Sequence, residues 1–230
     1  MPLFMIDSGL ILFVLPALFF AMYAQNLVKT TFEKYMKVPS RSRATGAQVA
    51  KNLLADAGLD GIVSVERAKN NMGDHYDPRG KVVRLSPNVH DGNSVAALGV
   101  AAHETGHALQ HDLGYVPLTF RNLIVPSAQI GTKAAFPLFF IGLIFGMPGL
   151  VDFGIVLFSL AVIFQIATLP VEFNASTRAV ALLEGGGYIS GEEIDHTKKV
   201  LRAAAMTYVA AAAMAVAQLL RLLLLRGRRG

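Results

Sequence analysis

Four long apolar stretches alternate with polar ones along the chain, and their lengths set the broad class. Residues 3–24 form a run of roughly the 20 residues a bilayer requires, broken by Asp7 and Ser8. Runs at 134–151 and 153–170 follow, separated by Met147-Pro148-Gly149 and Asp152, a turn chemistry that predicts a helical hairpin. A fourth run, 203–225, is rich in alanine and leucine and is interrupted by Gln218 and Arg221. The segment between the first run and residue 93 has other periods. Residues 45–58 set apolar side chains at helical spacing between a Thr45 or Gly46 start and a Gly58 stop, which predicts a short amphipathic helix. Residues 61–66 and 81–86 read as strands joined by a polar connection around residues 70–74. From Asn93 or Ser94, either of which can cap a helix, residues 95–110 are apolar and small, as in a buried helix.

That helix carries His103-Glu104-Thr105-Gly106-His107. Two histidines four residues apart project from one helical face, so both imidazoles can bind one tetrahedral Zn²⁺. Glu104 follows the first ligand, where its carboxylate can take a proton from the attacking water and pass it to a leaving amine. A peptidase site of this kind needs a third protein ligand and an open fourth position. The chain has no cysteine, and the acids after Glu104 are Asp112, Asp152, Glu172, Glu184, Glu192, Glu193 and Asp195. Glu172 closes an apolar run, and a carboxylate among Leu, Val and Phe is costly to bury without a cation. Pro170 suits the first turn of a new helix, which predicts Glu172 near its N-terminus, where the macrodipole alone would also favour an acid. Glu192, Glu193 and Asp195 lie in a polar Gly-Glu-Glu stretch that reads as a solvated turn and helix start.

Composition sharpens the class. The 230 residues suffice for one sizeable core; 53% are hydrophobic and 16% charged, where soluble domains average about 25% charged. An integral membrane protein is expected. The first run lacks a basic leader and a small-residue cleavage site, so it reads as an uncleaved anchor. Lys29, Lys34, Lys37, Arg41 and Arg43 follow it closely, which predicts a cytoplasmic catalytic region and an external N-terminus. Arg226, Arg228 and Arg229 oppose this if the fourth run spans; either that run does not cross, or the first segment dominates orientation. A net charge of +5 and a pI near 9.6 fit a face turned toward anionic lipid, and no basic-aromatic interleaving points to nucleic acid.

The segments His75 to Ser86, Ala101 to His111 and Thr168 to Ala179 resemble the YugP-type family of bacterial membrane-bound neutral zinc metallopeptidases. Nearly the whole chain shares the resemblance. It implies one Zn²⁺ per chain, a polypeptide substrate and a bacterial cell membrane as location; Glu172, directly after an apolar run, would sit near the bilayer surface, which makes membrane proteins candidate substrates. More distantly, Glu172 to Ser176 looks like the E-x-x-A-D signature of membrane zinc proteases related to the prenyl-protein endoprotease, with Glu172 at the ligand position. Ser176 replaces the last aspartate, which in such enzymes supports a zinc-binding histidine through a hydrogen bond. In zinc peptidases of this build an edge strand beside the metal helix holds the substrate backbone extended, and residues 81–85 are the candidate, with an ordinary sheet strand as the alternative.

The expected fold is a mainly α integral membrane protein with a small β-sheet and a zincin-like core, of the gluzincin kind because the third ligand is a glutamate. Its parts are an anchor at 1–24, the catalytic region at 25–133, a transmembrane hairpin at 134–170, and the third-ligand and final apolar helices at 171–230. His103, His107 and Glu172 are the metal residues and Glu104 the proton carrier. Arg178 or Tyr208, polar groups in apolar helical surroundings, could stabilise the oxyanion; the alternatives are a structural ion pair for Arg178 and a backbone-bonded hydroxyl for Tyr208. His75 reads as a turn residue, and His111 as a cap or a supporting group rather than a ligand. Asn174-Ala175-Ser176 fits a glycosylation sequon but falls at a predicted membrane boundary on the helix of Glu172 and is set aside. Two other functions compete with an endopeptidase: hydrolysis of a non-peptide amide, and a membrane scaffold or adaptor whose metal site is idle.

Overall fold

A computed structural model describes residues 7–69 and 73–227. The start of the first apolar run, residues 70–72 of the polar connection, and Arg228 and Arg229 lie outside the described residues. In chain order the elements are a π-helical segment (Leu10–Val14) that continues into α1 (Leu15–Tyr35), then α2 (Gly46–Asp56), β1 (Ser64–Arg67), β2 (His75–Asp77), β3 (Val82–Leu85), α3 (Pro87–His90), α4 (Val95–Asp112), α5 (Val116–Phe145), α6 (Pro148–Gly185) and α7 (Glu192–Gly227). Among the described residues, four helices are long and apolar enough to cross a membrane. Each extends past its apolar run. Pro170 does not open a helix as expected but sits inside α6, as Pro126 and Pro137 sit inside α5. Proline needs a helical φ and removes a single ladder hydrogen bond, a loss that long apolar helices tolerate when their neighbours hold the backbone.

The chain divides into two compact units, one of Met1–Gln25, Thr119–Pro170 and Met206–Gly230, the other of Asn26–Leu118 and Val171–Ala205. In the first, Ala135, Phe139 and Leu143 of α5 pack on Val151, Ile155, Phe158 and Val162 of α6 and on Leu222 and Leu225 of α7. The α5–α6 approach is close: a Cβ added at Gly154 would stand 2.9 Å from the Ala135 carbonyl oxygen. With no hydrophobic drive between helices in lipid, such small-residue contacts supply the packing. Hydroxyls on these helices satisfy themselves locally, Thr132 on the Ala128 carbonyl, Ser159 on that of Ile155 and Thr168 on that of Phe164. Ile11, Phe19, Leu123, Ile144, Phe153 and Ile163 remain exposed, and at most 33% of any span's most apolar window is buried. That surface suits lipid.

Two ion pairs stand at one end of this unit. Asp7 accepts the Leu10 N–H at 2.9 Å, which caps the first helix, and takes Arg221 Nε at 2.8 Å and Nη2 at 2.7 Å. Asp152 pairs with Arg226. These two pairs bring the start of the first helix, the α5–α6 turn and the end of α7 to one end of the unit. The polar interruptions Asp7 and Arg221 of the first and fourth runs are thus one contact.

The second unit is built around α4. Its Leu98 and Ala102 pack with Val49 and Leu53 of α2, Ala179 and Leu183 of α6 and Leu201 of α7. Ala101 and Ala108 turn to Ala50 and Leu54 of α2 and to Val83 and Leu85 of the sheet. α2 starts with a Thr45–Gln48 capping box, and Gly58 beyond its end takes a φ of 74°. The sheet order is β1-β3-β2, with β1 parallel and β2 antiparallel to β3. β3 is therefore central, not the edge strand that residues 81–85 were expected to supply. The edges are β1 and β2, and β2 is formed by His75–Asp77, where the sequence suggested a turn; three residues among Asp and Pro carry no alternation to announce a strand.

The buried pair Asp7–Arg221 leads to a stability prediction. Asp7→Leu leaves a guanidinium without its carboxylate and should destabilise the protein by on the order of 3 kcal/mol, whereas Asp7→Leu with Arg221→Met should recover most of that loss. Thermal unfolding in detergent would test it; equal losses in the single and double variants would show that the pair does not hold this end of the unit together.

Candidate metal centre

Ser94 caps α4, accepting the Ala97 N–H at 3.1 Å, and starts the helix at the register that puts His103 and His107 on one face. Between them Gly106 faces α6, where a Cβ would lie 3.1 Å from the Ala175 carbonyl oxygen. This close approach sets Glu172 and Ser176, which flank Ala175 on α6, against the two imidazoles.

His103 Nε2 and His107 Nε2 stand 3.3 and 3.6 Å from the same oxygen, Oε2 of Glu172. The ligating atoms of the three residues lie within 4.8 Å of one another. Neutral imidazole and carboxylate are the donors zinc takes, and a tetrahedron with bonds of about 2.1 Å has edges of about 3.4 Å, close to the two imidazole–carboxylate separations of 3.3 and 3.6 Å. Each imidazole is also held from behind. His103 Nδ1 meets the Ser176 hydroxyl at 3.3 Å, and His107 Nδ1 meets Oε1 of Gln110 at 3.0 Å. Both Nε2 atoms are thereby turned toward the carboxylate. The residues fit a zinc ion.

Glu172 is 4% exposed although it lies in mid-helix rather than at a helix start, so the macrodipole does not account for it. Ser176 stands where the E-x-x-A-D resemblance puts an aspartate, and it makes the expected contact with His103 at a long distance. Glu104 is buried at 9% exposure. Burial pushes the His107 imidazole down, but the carboxylates of Glu172 and Glu104 and the Gln110 side chain outweigh it, and the net shift is upward. A cluster that raises a histidine pKa favours a cation, and zinc competes there with the proton.

Gln110 and Asn174 escape a search for ionisable groups. Gln110, fully buried, donates from Nε2 to the Val171 carbonyl at 2.9 Å and to Oδ1 of Asn174 at 2.9 Å. Residues 103, 107 and 110 form one stripe on α4, and an amide on that stripe among alanines is the signal that could have found it. Arg178 donates Nε to the same Asn174 oxygen at 2.8 Å. Tyr208 is half-buried on α7 and belongs to the first unit. His111, in the last turn of α4, meets the Tyr76 hydroxyl of β2 at 2.9 Å and is not among the three clustered residues. Asp112, Glu184, Glu192 and Asp195 are exposed. Glu193 departs from the solvated position expected of it: it is 7% exposed and accepts the N–H groups of Arg41 at 2.7 Å and Ser190 at 3.1 Å. A carboxylate at a helix start binds free backbone donors, here those of the turn before α7 and of a distant loop.

These features define a helical membrane protein with a two-histidine, one-carboxylate centre. The model of a family described as "Putative neutral zinc metallopeptidase" matches residues 10–227. A protein from Bacillus subtilis (strain 168), "Putative membrane protease YugP", is 46% identical over 220 residues, which are 95% of this chain and 97% of that protein. No solved structure matches. The chain belongs to this family of neutral zinc metallopeptidases and is an integral membrane protein.

Substitutions at the candidate third ligand and behind the first histidine separate the roles. Glu172→Gln should lower zinc affinity on the order of ten- to a hundredfold or more, while Glu184→Gln and Glu192→Gln leave it within a few-fold. Ser176→Asp should preserve or tighten binding, because a carboxylate accepts the His103 Nδ1–H better than a hydroxyl does. Competition with a chromophoric chelator measures all four; a Glu172→Gln protein that binds zinc like wild type would remove Glu172 from the centre.

Proposed function

We propose that the chain is a membrane-bound zinc endopeptidase of the gluzincin kind with a zincin-like core, holding one zinc ion through His103, His107 and Glu172. The convergence of two Nε2 atoms on one buried carboxylate oxygen, each imidazole tied at its other nitrogen, carries this reading. Zinc bound there supplies a Lewis acid that polarises a scissile carbonyl and brings a water into nucleophilic range near neutral pH. Three protein donors leave one position for substrate and water, whereas a purely structural site would close with four. Glu104, one residue after His103 on the same helix, takes the proton of the attacking water and returns it to the leaving amine. Arg178, on the same helix as Glu172, is the first candidate for oxyanion stabilisation and Tyr208 the second.

The exposed edge of β2 suits an extended peptide, since its outward backbone groups can add a strand and Tyr76 ties it to His111 at the end of α4. Along α6, Glu172 follows by two residues the stretch assigned to the apolar unit. That sequence adjacency favours membrane proteins as substrates and their turnover as the role. The basic residues Lys29, Lys34, Lys37, Arg41 and Arg43 favour a cytoplasmic catalytic side. Since the end of α7 lies with the start of the first helix, the fourth run then crosses, and Arg226 is external.

Glu104→Gln should retain stoichiometric zinc and lose peptide hydrolysis by on the order of a hundredfold or more. Metal content and cleavage measured on the same detergent preparation would decide, and a fully active Glu104→Gln enzyme would sink the mechanism. For sidedness, cysteines are introduced singly into the cysteine-free chain at Ser42 and at Met147, both exposed. An impermeant thiol reagent on intact cells should label Met147→Cys and spare Ser42→Cys; the opposite pattern would reverse the topology.

A further inference from the structure

We infer that Gln110 is a positioning residue that fixes the tautomer of His107 for metal binding, and that Asn174 and Arg178 fix Gln110 in turn. This rests on the metal-centre reading above. The direction of each hydrogen bond follows from one end. A guanidinium can only donate, so the Asn174 atom that meets Arg178 Nε at 2.8 Å is the amide oxygen. That oxygen also lies 2.9 Å from Gln110, whose atom there must therefore be the donor nitrogen, and the Val171 carbonyl at 2.9 Å takes the second hydrogen of the same nitrogen. With both hydrogens committed, the other Gln110 atom is oxygen. It accepts, so His107 Nδ1 carries the proton and Nε2 keeps its lone pair toward Glu172.

The two histidines are not held alike. A hydroxyl can donate or accept, so Ser176 at 3.3 Å leaves the His103 tautomer open. His107 is locked by a chain of one-directional bonds whose middle member, Gln110, is fully buried, and a wrongly protonated ligand there would have to break that chain. Asn174 and Arg178, one turn apart on α6, thus act on a ligand of α4 through Gln110.

Zinc affinity by chelator competition, together with thermal unfolding of the metal-free protein, tests the relay on the full chain in detergent. Gln110→Leu should weaken zinc on the order of ten- to a hundredfold and Asn174→Leu about tenfold, whereas Asn174→Asp, which keeps an acceptor for both Arg178 and Gln110, should bind within about threefold of wild type. Should Gln110→Leu fail to fold, the Asn174 pair carries the test. Wild-type zinc affinity in Asn174→Leu, or equal losses in Asn174→Leu and Asn174→Asp, would overturn the relay while leaving the centre itself intact. A wild-type protein that takes up no zinc would overturn the metal centre and the relay with it.

Discussion

At Gly106 the α4 backbone comes so near α6 that an added Cβ would lie 3.1 Å from the Ala175 carbonyl oxygen, and the rest of the centre depends on that approach. Histidines four apart on one helix have a fixed mutual geometry, but a carboxylate from another helix joins them only if the two backbones are close and in register. Glu172 lies three residues before Ala175 and Ser176 one after, so a single contact sets both the third donor and the support of His103. The small residues of α4 serve the same end. With Ala96, Ala97, Ala101, Ala102 and Ala108 all buried, α2, α6, α7 and the sheet close around the helix, and its polar stripe is left to His103, His107 and Gln110.

The buried polar groups along this contact are expensive unless each is satisfied. Gln110 is fully buried; two of its three hydrogen bonds join α4 to the backbone and to a side chain of α6, and the third meets His107 within α4. Glu193 makes a comparable link at the start of α7, where it holds the loop at Arg41. In the apolar unit the same rule selects the Asp7–Arg221 pair, because a lone charge there would have neither water nor partner. Packing places the helices and polar satisfaction then specifies their register.

Much of this was legible in the sequence. Helical spacing marked His103 and His107, the apolar approach to Glu172 marked the carboxylate that clusters with them, and run lengths marked the four long helices. Other features could not be read because they are pairings across the chain. Asp7 and Arg221 each look like a flaw in an apolar run until they are seen to meet. Glu193 sits in a polar stretch whose composition suggests solvent, yet its partner lies 152 residues away in Arg41. Pro170 signals a helix start, but the apolar residues on both sides continue one helix through it. β2 is three residues long among turn formers, so β3 looked like an edge. Gln110 and Asn174 are neutral amides whose value lies in which atom faces which neighbour, a matter of tertiary contact.

X-ray absorption at the zinc edge of the purified, zinc-loaded chain tests the central claim most directly. The account predicts a four-coordinate shell of nitrogen and oxygen donors with two imidazoles at about 2.0–2.1 Å. A shell with no imidazole or only one, or with three or more, would contradict it.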